Sequence, residues 1–186
     1  AEAIELIKRI WTQEKANFQG EYYTVRDVVS FPKPLQKPHP PIWIGGQGSM
    51  LLKIVAQHAD YANFVKCSVE EFRQRLKVLK RHCLNLGRKF EAIEKTWHGL
   101  MIISDREEEV KRRALKFQED SAMADEREMS FDDFLNRNIM GTPEQCVEKI
   151  QRYVDLGVTY FIPHFPFAED LGTLRIFIDE VVPAFK

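Results

Sequence analysis

Gly45-Gly46-Gln47-Gly48 stands between a short apolar run, Ile42-Trp43-Ile44, and an apolar, helically spaced run from Met50 to Ala59. A strand that ends in small residues lets backbone N–H groups come close to an anion, and the following helix N-terminus adds partial positive charge. The chemistry this predicts is a grip on a phosphate or similar anion. The other reading of the same residues is a strand-to-helix turn that needs a positive φ. The pattern is no dinucleotide fingerprint, because Leu51 stands where a third glycine belongs. Asn63 and Phe64 close the next apolar run and are candidates to face a bound cofactor, with strand packing the alternative for Phe64. His164, just after Pro163, ends the last apolar run and is the weak candidate for acid–base work. His98 lies inside a buried strand pattern and reads as a satisfied core histidine, while His58 and His82 sit on helices. No His, Cys and Asp grouping has zinc spacing, so no metal is expected. Neither Ser49 nor Ser68 sits in a Gly-x-Ser-x-Gly elbow, which argues against a hydrolase.

The elements that would position these residues follow from periodicity. Ala3, Ile4, Ile7, Ile10 and Trp11 recur at helical spacing. Asn17–Gln19 break that pattern, and Tyr22–Val25 is a short β-prone run. Five prolines between Pro32 and Pro41 predict an extended surface connection. After the glycine turn and its helix, residues 60–65 form the next strand. Ser68 to Glu71 has capping-box spacing, ahead of a stripe of Phe72, Leu76, Leu79, Cys83 and Leu86 that stops at Gly87. Thr96–Ile103 reads as a buried strand. A charged segment of about 105–137 follows as one or two solvated helices, its charges pairing at i,i+4. Thr142-Pro143-Glu144-Gln145 opens the next helix, and residues 158–162 form a strand ended by Pro163. A final helix from about Asp170 to Val182 would turn Leu171, Leu174, Phe177, Ile178 and Val181 inward. Trp11, Trp43 and Trp97 read as core or interface aromatics. Alternating strands and helices make a parallel sheet, either doubly wound or part of a (β/α)₈ barrel.

Composition bounds the partners. With 27 Lys and Arg against 28 Asp and Glu, the net charge of −1 gives no reason to expect a nucleic acid or an anionic membrane. The apolar runs are too short to span a bilayer. Cys67, Cys83 and Cys146 are odd in number and far apart, which predicts reduced thiols in a cytoplasmic protein. The 186 residues suffice for a single domain, 1–186. A chain that starts at Ala1, already inside a helical pattern, reads as a fragment with no signal peptide.

Four segments, in order along nearly the whole chain, resemble the luciferase-like monooxygenases. They are residues 32–46, from Pro32-Lys33-Pro34 to Ile44-Gly45-Gly46; Ala59-Asp60-Tyr61-Ala62-Asn63-Phe64; Leu79-Lys80-Arg81-His82-Cys83 with Gly87-Arg88; and Gly141-Thr142-Pro143-Glu144-Gln145 through Gly157-Val158 to Val181-Val182-Pro183. The third is similar to the F420-dependent branch. This resemblance implies a partial (β/α)₈ barrel comprising about the last four strands and their helices. It implies an oxidoreductase moving a hydride between coenzyme F420 and an unknown small-molecule substrate, or, with FMN, a monooxygenase. It places Gly45, Gly46, Gln47, Gly48 and Asn63 at the cofactor, with Gln47 and Gly48 on its phosphate. The family's N-terminal acid–base residues have no counterpart here, so a further reading is that the isolated chain is a non-catalytic half barrel. Unpaired strand edges then predict a homo-oligomer or association with a missing N-terminal half-barrel.

Overall fold

The structure, a computed structural model, describes residues 1–46, 48–167 and 171–185. Helix α1 (Glu2–Thr12) leads into an antiparallel hairpin of β1 (Ala16–Gln19) and β2 (Thr24–Val28). Residues 17–19 are therefore strand and not a break. The Asp27 N–H donates to the Asn17 side chain at 2.9 Å, so a residue that favours turns is held in the ladder by its own carboxamide. No regular element occupies residues 29–42, as the prolines require.

The main sheet is parallel and runs β3 (Trp43–Gly45), β4 (Tyr61–Val65), β5 (Glu94–Ile103) and β7 (Val158–His164). Helices α2 (Ser49–His58), α3 (Val69–Asn85) and α7 (Pro143–Val154) connect and cover it. The starts of α3 and α7 form where the sequence placed them. The Ser68 and Thr142 hydroxyls accept from the N–H groups of Glu71 and Gln145, whose side chains reach back to the cap backbone. Ala62, Phe64, Trp97 and Phe161 turn to the helix side and join Phe72, Leu76, Leu79, Ile150 and Tyr153 in the main core. Leu86, expected in that stripe, lies past the end of α3 and is 43% exposed. Two polar groups tie the frame. The Asp60 carboxylate accepts from the Ile42 N–H at 2.8 Å, and the Arg88 guanidinium donates to the Ala56 and Ala59 carbonyls at the end of α2.

The charged segment holds three helices, α4 (Glu107–Asp120), α5 (Ala124–Glu128) and α6 (Phe131–Arg137). It is followed by a short strand, β6 (Ile139–Gly141), that pairs with the far end of β5 and was not expected. At three residues it carries too little pattern to be recognised. The insertion is not only a solvated face: Val110, Ala114, Phe117 and Phe134 pack on Leu100 and Ile102 in a second core. Strand β7 also differs from expectation, running through Pro163 to His164. Among the described residues it pairs with β5 alone, the edge position where a strand tolerates proline. The expected last helix begins on residues outside the described set. Its described part is α8 (Leu171–Ile176), a π turn at Phe177–Val181 and a 3₁₀ turn at Val182–Phe185. Val181 is buried and Phe177 packs on the core. Leu171, Leu174 and Ile178 are exposed, because this helix has a packed surface on one side only.

Candidate functional site

The face of the sheet opposite the helices carries its own rows of side chains, fixed by register. In parallel pairing, partners share a face, and every second residue along a strand returns to it. One row holds Trp43, Tyr61 and Glu94, and the next holds Gly45, Asn63, Thr96 and Tyr160. Val65, His98 and Ile162 follow, then Leu100 with His164. Trp43 stacks on Tyr61 with centroids 4.1 Å apart and meets the edge of Tyr160 at 5.3 Å. The face is therefore aromatic where the strands begin, polar in the row of Asn63 and Thr96, and apolar beyond it apart from His98 and His164.

Gly45 ends β3, and Gly46 adopts φ +146°, the region open to glycine. A Cβ there would meet Leu51 Cδ2 at 1.9 Å, whereas one on Gly48 would meet nothing within 4 Å. Gly48 caps α2 with extended backbone, no side chain closes the first turn, and that turn contains no acidic residue. Helices α3 and α7, built on the same sheet, have capping boxes and acidic first turns. The entrance to α2 is thus open and carries positive helix-end potential. Asn63 lies beside it. The Gly46 N–H donates to its backbone carbonyl at 3.4 Å, and its Oδ1 accepts from the Thr96 hydroxyl at 2.9 Å. That leaves the Asn63 Nδ2 amide next to Gly45. Gly45, Gly46, Gly48 and Asn63 are brought together, and Gln47 lies outside the described residues. Phe64 turns the other way, buried against Phe72 in the core.

His164 sits on the same face at the end of β7, three strand spacings, or about 14–15 Å, across the sheet from β3. It does not share the glycine site. His98 is a correction to the sequence reading: it is half-buried on the open face, and among the described residues no hydrogen bond holds its ring. Burial lowers its pKa, and Lys66 and His164 lower it further. Thr96 and His98 were passed over because the whole of β5 looks buried. The signal was the period of two, which sets Thr96, His98 and Leu100 on one face against Lys95, Trp97 and Gly99 on the other.

Lys66, directly after β4, donates its N–H to the His98 carbonyl at 2.7 Å. Its ammonium pairs with Glu126 of α5, whose other carboxylate oxygen accepts from the Ser121 hydroxyl at 2.6 Å. All three thiols are buried and unpaired, and burial pushes Cys67 and Cys146 up to about 12, far from nucleophilic use. Among the described residues no three His, Cys, Asp or Glu side chains gather to hold a metal. None of the described helices is long and apolar enough to cross a membrane.

Residues 1–160 match the family model for luciferase-like monooxygenases. An F420-dependent glucose-6-phosphate dehydrogenase of Microbacterium testaceum is 26% identical, over all of this chain and 60% of its own length. An FMNH(2)-dependent dimethylsulfone monooxygenase of Pseudomonas putida is 25% identical over 88% of the chain and 52% of its own. Among solved structures, an F420-dependent secondary alcohol dehydrogenase, in complex with an F420-acetone adduct, superposes on the whole chain with a TM-score of 0.83 at 17% identity, using 60% of its own length. The chain thus spans 52–60% of the length of these relatives, and its fold is a partial (β/α)₈ barrel.

Proposed function

Because the chain belongs to the luciferase-like monooxygenase family, we propose that it is part of an F420-dependent oxidoreductase and that its own share of the work is to hold the cofactor. The observation that carries this reading is the open, uncapped start of α2 behind the Gly45–Gly48 turn, with Asn63 at its side. The residues fit a phosphate-bearing cofactor. Backbone N–H groups and the helix end favour an anion, glycine at 46 leaves no side chain in the way, and Gly48 opens onto free space. Gly45, Gly46, Gln47 and Gly48 take the phosphate end, and Asn63 donates through its amide to the adjoining chain. When bound, F420 supplies a carbon that gives or accepts a hydride. His164, across the sheet, is the candidate proton-handling group on this chain.

F420-dependent proteins among the relatives support that cofactor over FMN. The FMN-dependent relative keeps an oxygen-activating monooxygenase as the second reading. The substrate is a small molecule in either case. The open edges of β3 and β7 are covered in the working protein by a second copy or by a further half barrel, since four strands are half of eight. A cytoplasmic setting, expected from the unpaired cysteines, belongs to the same proposal.

The test is tryptophan quenching during parallel titrations with F420 and with FMN, repeated on Gly48→Asp. That variant sets a carboxylate against the phosphate. Saturable F420 binding, lost in the variant, is the expected result. Preference for FMN moves the reading to the monooxygenase. Binding of neither removes the cofactor-holding role from this chain and leaves the reading of a half barrel without chemistry of its own.

A further inference from the structure

His98 and His164 lie on adjacent strands and one row apart on the open face, since His98 pairs with Ile162 and Leu100 with His164. Strand spacing and rise put their Cα atoms about 8 Å apart, close enough for both rings to reach one small group between them. Around them the face is apolar, with Val65 and Ile162 in the His98 row and Leu100, covered by the insertion, in the His164 row. His98 is half-buried and His164 exposed, and among the described residues no protein group holds either ring, so both are accessible to a ligand.

The charges that face His98 decide what kind of partner fits. From its own strand come Thr96 and Leu100, which carry none, and from β7 come Ile162 and His164. From the end of β4 comes Lys66, and that ammonium is already matched by the buried Glu126 carboxylate of α5. Burial first, then Lys66 and His164, hold His98 below its ordinary pKa, so it is neutral near pH 7. A neutral imidazole offers one N–H donor and one nitrogen acceptor. Such a ring, with the N–H of a second imidazole beside it, matches a hydroxyl, which both donates and accepts, or a carbonyl, which accepts.

We propose that His98 and His164 form a two-imidazole subsite that holds the hydroxyl or carbonyl oxygen of a neutral small-molecule substrate on the barrel-interior face. The proposal rests on the oxidoreductase reading above for calling that molecule a substrate. The subsite itself is a property of this chain and is read without cofactor. His98 accepts the hydroxyl proton in a hydrogen bond, and His164 donates its N–H to the same oxygen. Thr96, already bonded to Asn63, keeps the adjoining row fixed.

The experiment is NMR of the full chain labelled with ¹⁵N-histidine, whose five imidazoles are resolved by substitution. Cyclohexanol is the probe, and cyclohexanecarboxylate the charged comparison. The expected result is that the His98 and His164 signals move together with one saturation midpoint, and that the other three do not follow. His98→Asn and His164→Asn should each weaken the probe by about three- to tenfold, one hydrogen bond's worth. His98→Gln serves as a second variant, with far-UV circular dichroism as the check on folding. Signals that do not move, tighter binding of the carboxylate, or equal affinity in the variants overturn the subsite. F420 titration of the same samples separates the two readings. Loss of the probe with F420 still bound sinks the subsite alone, and loss of F420 with the probe still bound sinks the cofactor reading alone.

Discussion

The turn before α2 contains two glycines with opposite reasons to be glycine. At Gly46 any side chain meets both φ +146° and Leu51. Gly46→Ala should therefore cost about 1–3 kcal/mol in urea unfolding. At Gly48 the backbone is ordinary and the space is free, so the same change should cost less than about 1 kcal/mol. Gly48→Asp should even stabilise the fold by about 0.5–1 kcal/mol, because it supplies the missing N-cap, while abolishing anion binding. Greater stability with lost binding would mark Gly48 as kept for a ligand; lost stability would return the turn to a purely structural role. A second residue-scale prediction concerns Lys149, which burial holds at about 8 while its ammonium donates to the Leu135 carbonyl at 2.7 Å. Between pH 8 and about 10 the unfolded chain binds the extra proton, so stability rises with pH through that window by up to roughly 3 kcal/mol. Lys149→Met should lack that rise when urea midpoints at pH 7, 8.5 and 10 are compared. The buried thiols of Cys67 and Cys146 act in the opposite sense, but in both proteins, and so cancel. That Gly45, Gly46 and Gly48 stand at a strand end with Asn63 beside them was legible in the sequence, because small residues at a strand end leave a local signature. His98 was not, because a histidine between Trp97 and Gly99 looks interior until the face it turns to is known.

At the scale of elements, the insertion α4–α6 is held over the sheet by several polar ties, Arg113 to Thr173, Gln145 to Glu107 and Lys149 to Leu135 among them. Glu126, 5% exposed, pairs with Lys66, and the Gln118 amide donates to the Glu126 and Met129 carbonyls. Arg137 pairs with Glu71 at 2.6 Å. Glu126→Ala strands the Lys66 ammonium and frees Ser121 and should cost about 1–3 kcal/mol. Hydrogen exchange gives the sharper reading. Amides of residues 107–137 should lose protection while those of β4 and α3 keep theirs, since the main core does not depend on the insertion. Equal loss throughout would mean that the insertion and sheet open as one unit. The capped helices α3 and α7 were readable to the residue because a capping box is a four-residue signal. Strand β6 and the packed underside of the insertion were not, because three residues show no period and the partners of Val110 and Phe134 are distant in sequence.

At the scale of the whole molecule, the chain has a finished side and an unfinished one. Helices α2, α3 and α7 cover one face of the sheet, and the insertion covers the other only at Leu100 and Ile102; Trp43 and Tyr160 stand 41% and 53% exposed there, and among the described residues β3 and β7 are paired on one side only. Alternating strands and helices made the class of fold legible, and the count of four barrel strands made its incompleteness legible too. What no pattern reveals is the covering of the open face, since that depends on the surface that meets it and not on the period of this chain. Two half barrels related by a twofold axis would set β3 of one beside β7 of the other, both parallel, and bring the two aromatic floors together. If that contact forms, light scattering at tens of micromolar should give twice the monomer mass. Trp43→Glu with Tyr160→Glu should return the chain to monomer, because a closed barrel interior cannot hold four unpaired carboxylates. The substitutions lie on the face opposite the main core, so circular dichroism should stay native. A wild-type chain that remains monomeric across that range would overturn self-association and leave a separate half barrel as the proposed cover.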